Sequence, residues 1–192
     1  MEKLKIAIII PAFNEENTIS RVINSIKSYG IPIVVNDAST DRTETVANDA
    51  GAIVINHIHN EGYDKSLDSG FKKADALNCN YVVTFDADGQ HDSNAIPLFI
   101  NELKNGFDLV LGFRTKKQRF SELLFSFFTR NRLGWRDPLC GMKGYNIKLY
   151  KELGYFDSYN SIGTELAFFG ILNGYSFIDD DSELPDIVPN DF

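Results

Sequence analysis

Between Ile6 and Phe85 the chain alternates short, unbroken apolar runs with segments of helical periodicity. Ile6 to Ile10 is a β-branched-rich run ended by Pro11; Ile31 to Val35, Ala52 to Ile55 and Tyr81 to Phe85 are three more. A strand with one wet face would alternate apolar and polar residues. Unbroken runs indicate strands covered on both faces, as in parallel sheets. Between the first two runs, Ile19, Val22, Ile23 and Ile26 recur at helical spacing behind the capping residues Asn14 to Asn17. A second helix is expected through Val46 and a third over Ser66 to Leu77. This repetition predicts an α/β fold, an open and mainly parallel sheet flanked by helices, with right-handed crossovers.

The second half is less regular. Ala95 to Leu103 reads as a helix, Leu109 to Gly112 as a strand, and Phe120 to Phe128 and Ile147 to Leu153 as helices. Glu165 to Leu172 is a further helix, stopped by Gly174, and the acidic stretch after Phe177 offers no obvious final element. No repeat or linker interrupts the 192 residues, so a single domain is expected.

The formal net charge of -8 repels nucleic-acid phosphates and anionic lipid unless a local basic patch intervenes. The two cysteines, Cys79 and Cys140, form neither a disulfide framework nor a CxxC pair, which points to a reducing compartment. The apolar run near the N-terminus is too short to span a membrane and lacks a signal-peptide cleavage pattern. The expectation is a soluble, cytoplasmic protein.

In open α/β sheets, ligands bind at the carboxyl ends of the strands. The first, second and fourth runs end in Asn14-Glu15, Asn36-Asp37 and Asp86-Ala87-Asp88. Any one of these clusters could be turn punctuation, since Asp and Asn favour turns. Convergence of all of them on one sheet edge points to a site. Asp86 and Asp88, two apart as the chain leaves a strand, are expected to face one side and to share a hard cation, Mg²⁺ or Mn²⁺. Such a cation bridges a protein to a diphosphate and neutralises it as a leaving group.

The stretches PAFNEE (Pro11 to Glu16), NDASTD (Asn36 to Asp41) and DADGQH (Asp86 to His91) resemble the family-2 inverting glycosyltransferases of GT-A fold. DPLCGMKGY (Asp137 to Tyr145) is similar to the dolichyl-phosphate-mannose-synthase-like branch, and the likeness runs from about Ile6 to Tyr175. The resemblance implies a nucleotide-sugar-binding half over about residues 1–92 and an acceptor-side half over 93–192. It implies that Pro11, Asn14, Glu15 and Asp37 line the nucleotide pocket, that Asp86 and Asp88 hold the metal, and that Gln90 lies beside it. Arg114 stands where that branch has an arginine that handles phosphates, and a guanidinium fork suits bidentate phosphate recognition. A surface ion pair is the alternative for Arg114.

Some positions depart from the pattern. The family's paired aspartates after the second strand are Asn36-Asp37, its usual Lys-Gly pair is Tyr63-Asp64, and its usual alanine is Ser66. Members of that branch often continue beyond the point where this chain ends.

A hydroxyl acceptor requires a carboxylate general base, whereas a lipid phosphate arrives already ionised and requires none. Asp137 and Glu165 are the candidate bases; the alternatives are an Asp-Pro turn for Asp137 and a helix-capping role for Glu165. Phe120, Leu123, Leu124, Phe127 and Phe128 form a stripe followed by Arg130 and Arg132. The stripe is expected to face the core; the other reading is a peripheral contact with the inner face of a membrane beside a polyprenyl phosphate. His91 is expected to neighbour the metal site, a third ligand being the alternative; His57 and His59 have no partner pattern, and Trp135 and Tyr145 read as packing residues, with stacking on an acceptor sugar as the alternative.

The expected activity is therefore transfer from a UDP- or GDP-sugar to a polyprenyl phosphate or a saccharide in cell-surface glycan synthesis. A catalytically degenerate nucleotide-sugar-binding module is the alternative. A sugar-phosphate nucleotidylyltransferase would want a glycine-rich basic loop after the first strand, and a dinucleotide oxidoreductase a GxGxxG; Pro11-Ala12-Phe13-Asn14-Glu15 is neither.

Overall fold

The computed structural model describes residues 4–114, 120–159 and 161–179, with the backbone alone for 120–124. The strands are β1 (Ile6–Ala12), β2 (Ile31–Asn36), β3 (Ile53–Asn56), β4 (Tyr81–Thr84), β5 (Leu109–Leu111), β6 (Lys143–Asn146) and β7 (Phe177–Ile178). The helices are α1 (Ile19–Ile26), α2 (Thr43–Asp49), α3 (Tyr63–Ala76), α4 (Ile96–Lys104), α5 (Phe120–Leu133), α6 (Ile147–Leu153) and α7 (Glu165–Leu172). The strands join in one sheet in the order β3-β2-β1-β4-β6-β5-β7. All pairings are parallel except those of β6 with β4 and with β5.

The apolar runs do what their unbroken pattern requires. Ala7 to Ile10 have no solvent exposure. Ile8, Ile10 and Ala12 face a core layer with α1, α2 and α4, and Ala7 and Ile9 face the opposite layer with α3, α6 and α7. Burying each isoleucine stabilises the fold by about 1.5–3 kcal/mol. Gly70 lets α3 lie close on the sheet: a Cβ there would stand 2.3 Å from Cγ2 of Ile9.

β1 runs through Pro11 to Ala12, past the end foreseen for it. Its register with β4 stops at Ile9–Thr84, whereas the β2 register continues through Pro11–Val35 to Ala12–Asn36. Beyond Ile9 the strand therefore has a ladder only on its β2 side, and the missing proline N–H is tolerated.

Two strands were not foreseen. β6 overlaps the end of the stretch Asp137 to Tyr145 and runs on to Asn146; Gly144 sits against Leu103, Phe99 and Val110 and supplies no side chain to make an apolar run. β7 is two residues long, below the length at which periodicity is legible. α5 also runs on to Leu133, past Phe128.

The topology sets the site. The chain moves outward from β1 to β3, then α3 carries it back across to β4 on the other side of β1. The β1/β4 boundary is thus a switch point, with a crevice outside the strand ends where ligands sit in such sheets. Because β6 is antiparallel to both neighbours, β5 runs parallel to β4. The residues after β1, β2, β4 and β5, and those before β6, consequently share one edge.

Candidate functional site

At that edge the loops after β1 and β2 are laced together. Asn14, held at φ 57, accepts from Thr40 N through Oδ1 at 2.9 Å, and its own N–H donates to Ser39 Oγ at 2.9 Å. Glu15 N donates to Thr43 Oγ1 at 2.7 Å, and the Glu15 carboxylate accepts from Thr18 Oγ1 at 2.6 Å. Asn36, where a paired aspartate was expected, donates to Asn56 Oδ1 at 2.8 Å and accepts from Ser39 N. Its amide is therefore spent on joining β2 to β3 and to the next loop.

Asp37 is buried and heavily satisfied. Oδ1 accepts from Glu61 N and lies 2.8 Å from His57 Nδ1, while Oδ2 accepts from Gly62 N at 2.8 Å. His57 Nε2 in turn meets Ser69 Oγ at 2.9 Å. His57 had no partner in the sequence; only the fold brings it to Asp37.

Asp86 and Asp88 leave β4 after it has ended at Thr84, and Ala87-Asp88 lie in a turn. Strand alternation therefore does not aim these carboxylates, contrary to expectation; the turn does. Asp88 is exposed and its Oδ1 accepts from Gln90 N at 2.9 Å, so Gln90 is brought beside it. Asp86 is held from several sides. Tyr63 Oη donates to Oδ1 at 3.3 Å, and His91 Nε2 lies 3.3 Å from Oδ2. Asp86 N donates to His91 Nδ1 at 3.4 Å, and a ring that accepts at Nδ1 carries its proton on Nε2, facing the carboxylate.

The third wall is Gly141. A Cβ there would lie 2.3 Å from Asp86 Oδ2 and 2.8 Å from Oδ1. The glycine of DPLCGMKGY thus makes the cradle for this carboxylate. Thr84 Oγ1 fixes the cradle by donating to Gly141 O at 2.6 Å.

Among the described residues no group of three or more His, Cys, Asp or Glu side chains could hold a metal by itself. Mg²⁺ and Mn²⁺ take one or two carboxylates and complete their shell with phosphate oxygens and water. The cradled, partly open Asp86 and the exposed Asp88 fit that role.

Arg114 and Asp137 meet. Arg114 Nε donates to Oδ2 at 2.9 Å, NH2 to Oδ1 at 3.0 Å, and the Arg114 backbone N–H to Oδ2 at 3.1 Å. The Asp137 side chain is 2% exposed and that of Arg114 20%. Glu165, at the start of α7, accepts from Ser158 N at 2.5 Å and from Ser158 Oγ at 2.8 Å.

Behind these groups lies Lys143, which sequence reasoning did not single out. Its Nζ donates to Cys140 O at 2.6 Å beneath the Trp135 ring, and burial pushes its pKa down. Burial pushes the Cys140 thiol up to about 12, so it is an inert packing group. Trp135 and Tyr145 are fully buried, as expected of packing residues. The aromatic stripe of α5 behaves otherwise: Phe127 is 69% and Phe128 59% exposed, where a core-facing stripe was expected. Phe120, Leu123 and Leu124 have side chains outside the described set.

The family model for glycosyl transferase family 2 matches residues 7–163, more than half of the chain. The chain belongs to glycosyl transferase family 2. Curated relatives of this family-2 chain include a UDP-N-acetylglucosamine–dolichyl-phosphate N-acetylglucosaminyltransferase of Methanococcus voltae, 33% identical over 59% of this chain and 53% of that protein. A dolichol-phosphate mannosyltransferase of Pyrococcus furiosus is 34% identical over 59% of this chain and 34% of that protein. The chain spans about half the length of the first of these and a third of the second. Among solved structures, glucosyl-3-phosphoglycerate synthase of Mycobacterium tuberculosis, in complex with Mn²⁺ and UDP-glucose, superimposes with a TM-score of 0.73 at 27% identity. That match covers 91% of this chain and 67% of the synthase. The two relatives and the synthase are glycosyltransferases, and the synthase shares the fold described above. The dolichyl-phosphate names agree with the branch that DPLCGMKGY resembles.

Proposed function

We propose that this family-2 domain catalyses metal-dependent, inverting transfer of a sugar from a UDP- or GDP-linked donor to a polyprenyl phosphate in cell-surface glycan synthesis. The observation that carries the choice of acceptor is the Arg114–Asp137 pair. A general base must present a carboxylate oxygen to the acceptor hydroxyl, and both oxygens of the buried Asp137 side chain are taken up by Arg114 at 2.9 and 3.0 Å. Glu165 is likewise engaged, by Ser158. A phosphate acceptor arrives ionised and needs no base, which makes Asp137 an anchor that orients Arg114 toward phosphate. A saccharide hydroxyl would need Glu165 to release Ser158.

In this reading Pro11, Asn14, Glu15 and Asp37 line the nucleotide pocket. Asp86 and Asp88, with Gln90 beside them, would hold Mg²⁺ or Mn²⁺, which would supply positive charge to offset that of a diphosphate leaving group. The synthase solved with Mn²⁺ and UDP-glucose supports the metal, and the relatives named for dolichyl phosphate support the acceptor.

A peripheral membrane contact follows from a lipid-linked acceptor. The exposed Phe127 and Phe128, with Arg130 and Arg132 in the last turn of α5, form an apolar and cationic face on an otherwise acidic chain. No helix among the described residues is long and apolar enough to cross a membrane.

Calorimetric titration with UDP and GDP, each with and without Mn²⁺, tests the reading. Binding of one nucleotide that depends on metal, and its loss in Asp88→Ala with the fold intact, is the expected result. Nucleotide affinity unchanged in Asp88→Ala with Mn²⁺ present would refute the metal assignment. Donor binding without transfer to any phosphate or saccharide acceptor would identify a degenerate binding module.

A further inference from the structure

Tyr63 and Asp64 open α3 at positions where the resembled family usually has a Lys-Gly pair. Neighbouring residues on a helix point in different directions, and here the two side chains reach different parts of the site. Tyr63 Oη donates to Asp86 Oδ1 at 3.3 Å. Burial, together with the negative charge of Asp86, pushes the phenol well above its ordinary value, so it stays a donor. Asp64 points to the turn before α7, where Oδ1 accepts from Gly163 N at 2.5 Å and Oδ2 from Ile162 N at 3.1 Å.

That turn has an unusual backbone. Ile162 has φ 57, a left-handed conformation that a β-branched residue rarely adopts, and its side chain is 61% exposed. Gly163 follows at φ 70, and a Cβ added to it would lie 3.3 Å from Cε1 of Tyr63. Left-handed strain of this kind costs about 1–3 kcal/mol and persists only where surrounding contacts fix it. The two amide bonds to Asp64 and the Tyr63 ring are such contacts. The start of α3 cannot yield easily either, because Asp37 accepts from both Glu61 N and Gly62 N just before it.

We infer that the Tyr63–Asp64 pair couples the Asp86 carboxylate to the turn over residues 161–164. Tyr63 acts as a positioning residue for Asp86, and Asp64 anchors the turn that leads into α7 and Glu165. The inference rests on the proposed role of Asp86 in holding the metal of the donor site. Whatever draws on Asp86 Oδ1 alters its bond to Tyr63, and the Tyr63 ring lies against Gly163. Loading of the donor site and ordering of the acceptor-side turn then favour one another, which is a coupling between two sites.

The test uses the full chain, Mn²⁺, and whichever of UDP or GDP the wild type binds. Manganese binding is read from the free-ion electron paramagnetic resonance signal, and ordering of the turn from amide hydrogen exchange at Ile162 and Gly163. In wild type, Mn²⁺ with nucleotide should slow exchange at those two amides. Tyr63→Phe should weaken Mn²⁺ binding about tenfold, the low end for a hydrogen bond to a charged group, and abolish the slowing. Asp64→Gly should speed exchange at both amides and, because the coupling is reciprocal, weaken Mn²⁺ binding with nucleotide as well, by less than Tyr63→Phe does.

Gly163→Ala, which presses on the Tyr63 ring, should weaken Mn²⁺ binding from the other end and serves if Tyr63→Phe fails to fold. Wild-type binding of nucleotide and Mn²⁺ with no change in exchange at 162 and 163 would overturn the coupling alone. Manganese affinity unaltered in Tyr63→Phe and Gly163→Ala would overturn the positioning role. Failure of wild type to bind Mn²⁺ with either nucleotide would overturn the donor-site reading, and the coupling with it.

Discussion

Gly141→Ala should disable the site while sparing the fold. An alanine Cβ at this position would lie 2.3, 2.8 and 2.9 Å from Oδ2, Oδ1 and Cγ of Asp86, whereas ordinary contact begins at 3.4 Å. The carboxylate must therefore retreat by about 1.1 Å, because all the crowding atoms belong to that one side chain. Gly141 does not have a left-handed backbone, so the alanine adds no conformational strain of its own. Misplacement of a functional group by about 1 Å typically costs about 100-fold, or ~2.7 kcal/mol of transition-state stabilisation.

The assay pairs calorimetric Mn²⁺-dependent nucleotide binding with sugar transfer to a polyprenyl phosphate. Gly70→Ala serves as the control, because its Cβ would collide with Ile9 in the core instead. That variant should lose about 1–3 kcal/mol of stability and keep its metal-dependent affinity per folded molecule. Gly141→Ala should do the reverse. A Gly141→Ala protein with wild-type metal-dependent affinity and turnover would refute the idea that this glycine cradles a working carboxylate.

Asp137→Ala removes two side-chain hydrogen bonds from the Arg114 guanidinium and should cost about 3 kcal/mol, the low end for a broken buried pair since Arg114 keeps some water. For a domain of this size that lowers the thermal midpoint by about 6–12 °C, as calorimetry would record. Lys143 is held below its ordinary value of 10.5, so the native state binds fewer protons than the unfolded state between its folded value and 10.5. Stability therefore rises with pH through that window, and Lys143→Met should flatten the rise. Urea midpoints should be compared below 9.0, the ordinary value of the thiols, because the raised values of Cys79, Cys140 and the buried tyrosines act in the opposite direction. Phe127→Ser with Phe128→Ser should reduce co-sedimentation with anionic phosphatidylglycerol vesicles without shifting the melting temperature. Equal sedimentation of wild type and the double variant would remove α5 from the membrane contact.

The first half of the fold was legible because β1, β2 and β4 are central and its helices one-sided. An unbroken apolar run such as Ile6–Ile10 has few alternatives when both faces must be covered, and Ile19, Val22, Ile23 and Ile26 mark one helical stripe. Their polar endings pointed to the sheet edge for the same reason: the carboxyl ends of parallel strands lie together. α6 and α7 began and ended where their periodicity and glycine stops placed them. β6 and β7 were not legible, since an antiparallel strand containing glycine and a two-residue strand carry too little pattern.

Which residues meet at the edge was a different matter. DPLCGMKGY pointed to a branch of the family by resemblance, but nothing local says that Gly141 would touch Asp86, since that contact depends on β6 entering beside β4 in antiparallel register. His57 and Asp37, or Tyr63 and Asp86, are about twenty residues apart and belong to different loops, and no periodicity links them. Asp137 read equally well as a turn or a base until Arg114 was found gripping it. The sequence alone determined where the first four strands and the helices lie, because burial acts on local pattern. Only the tertiary structure decided which carboxylates are cradled, locked or open, because that depends on the partners other segments bring to them.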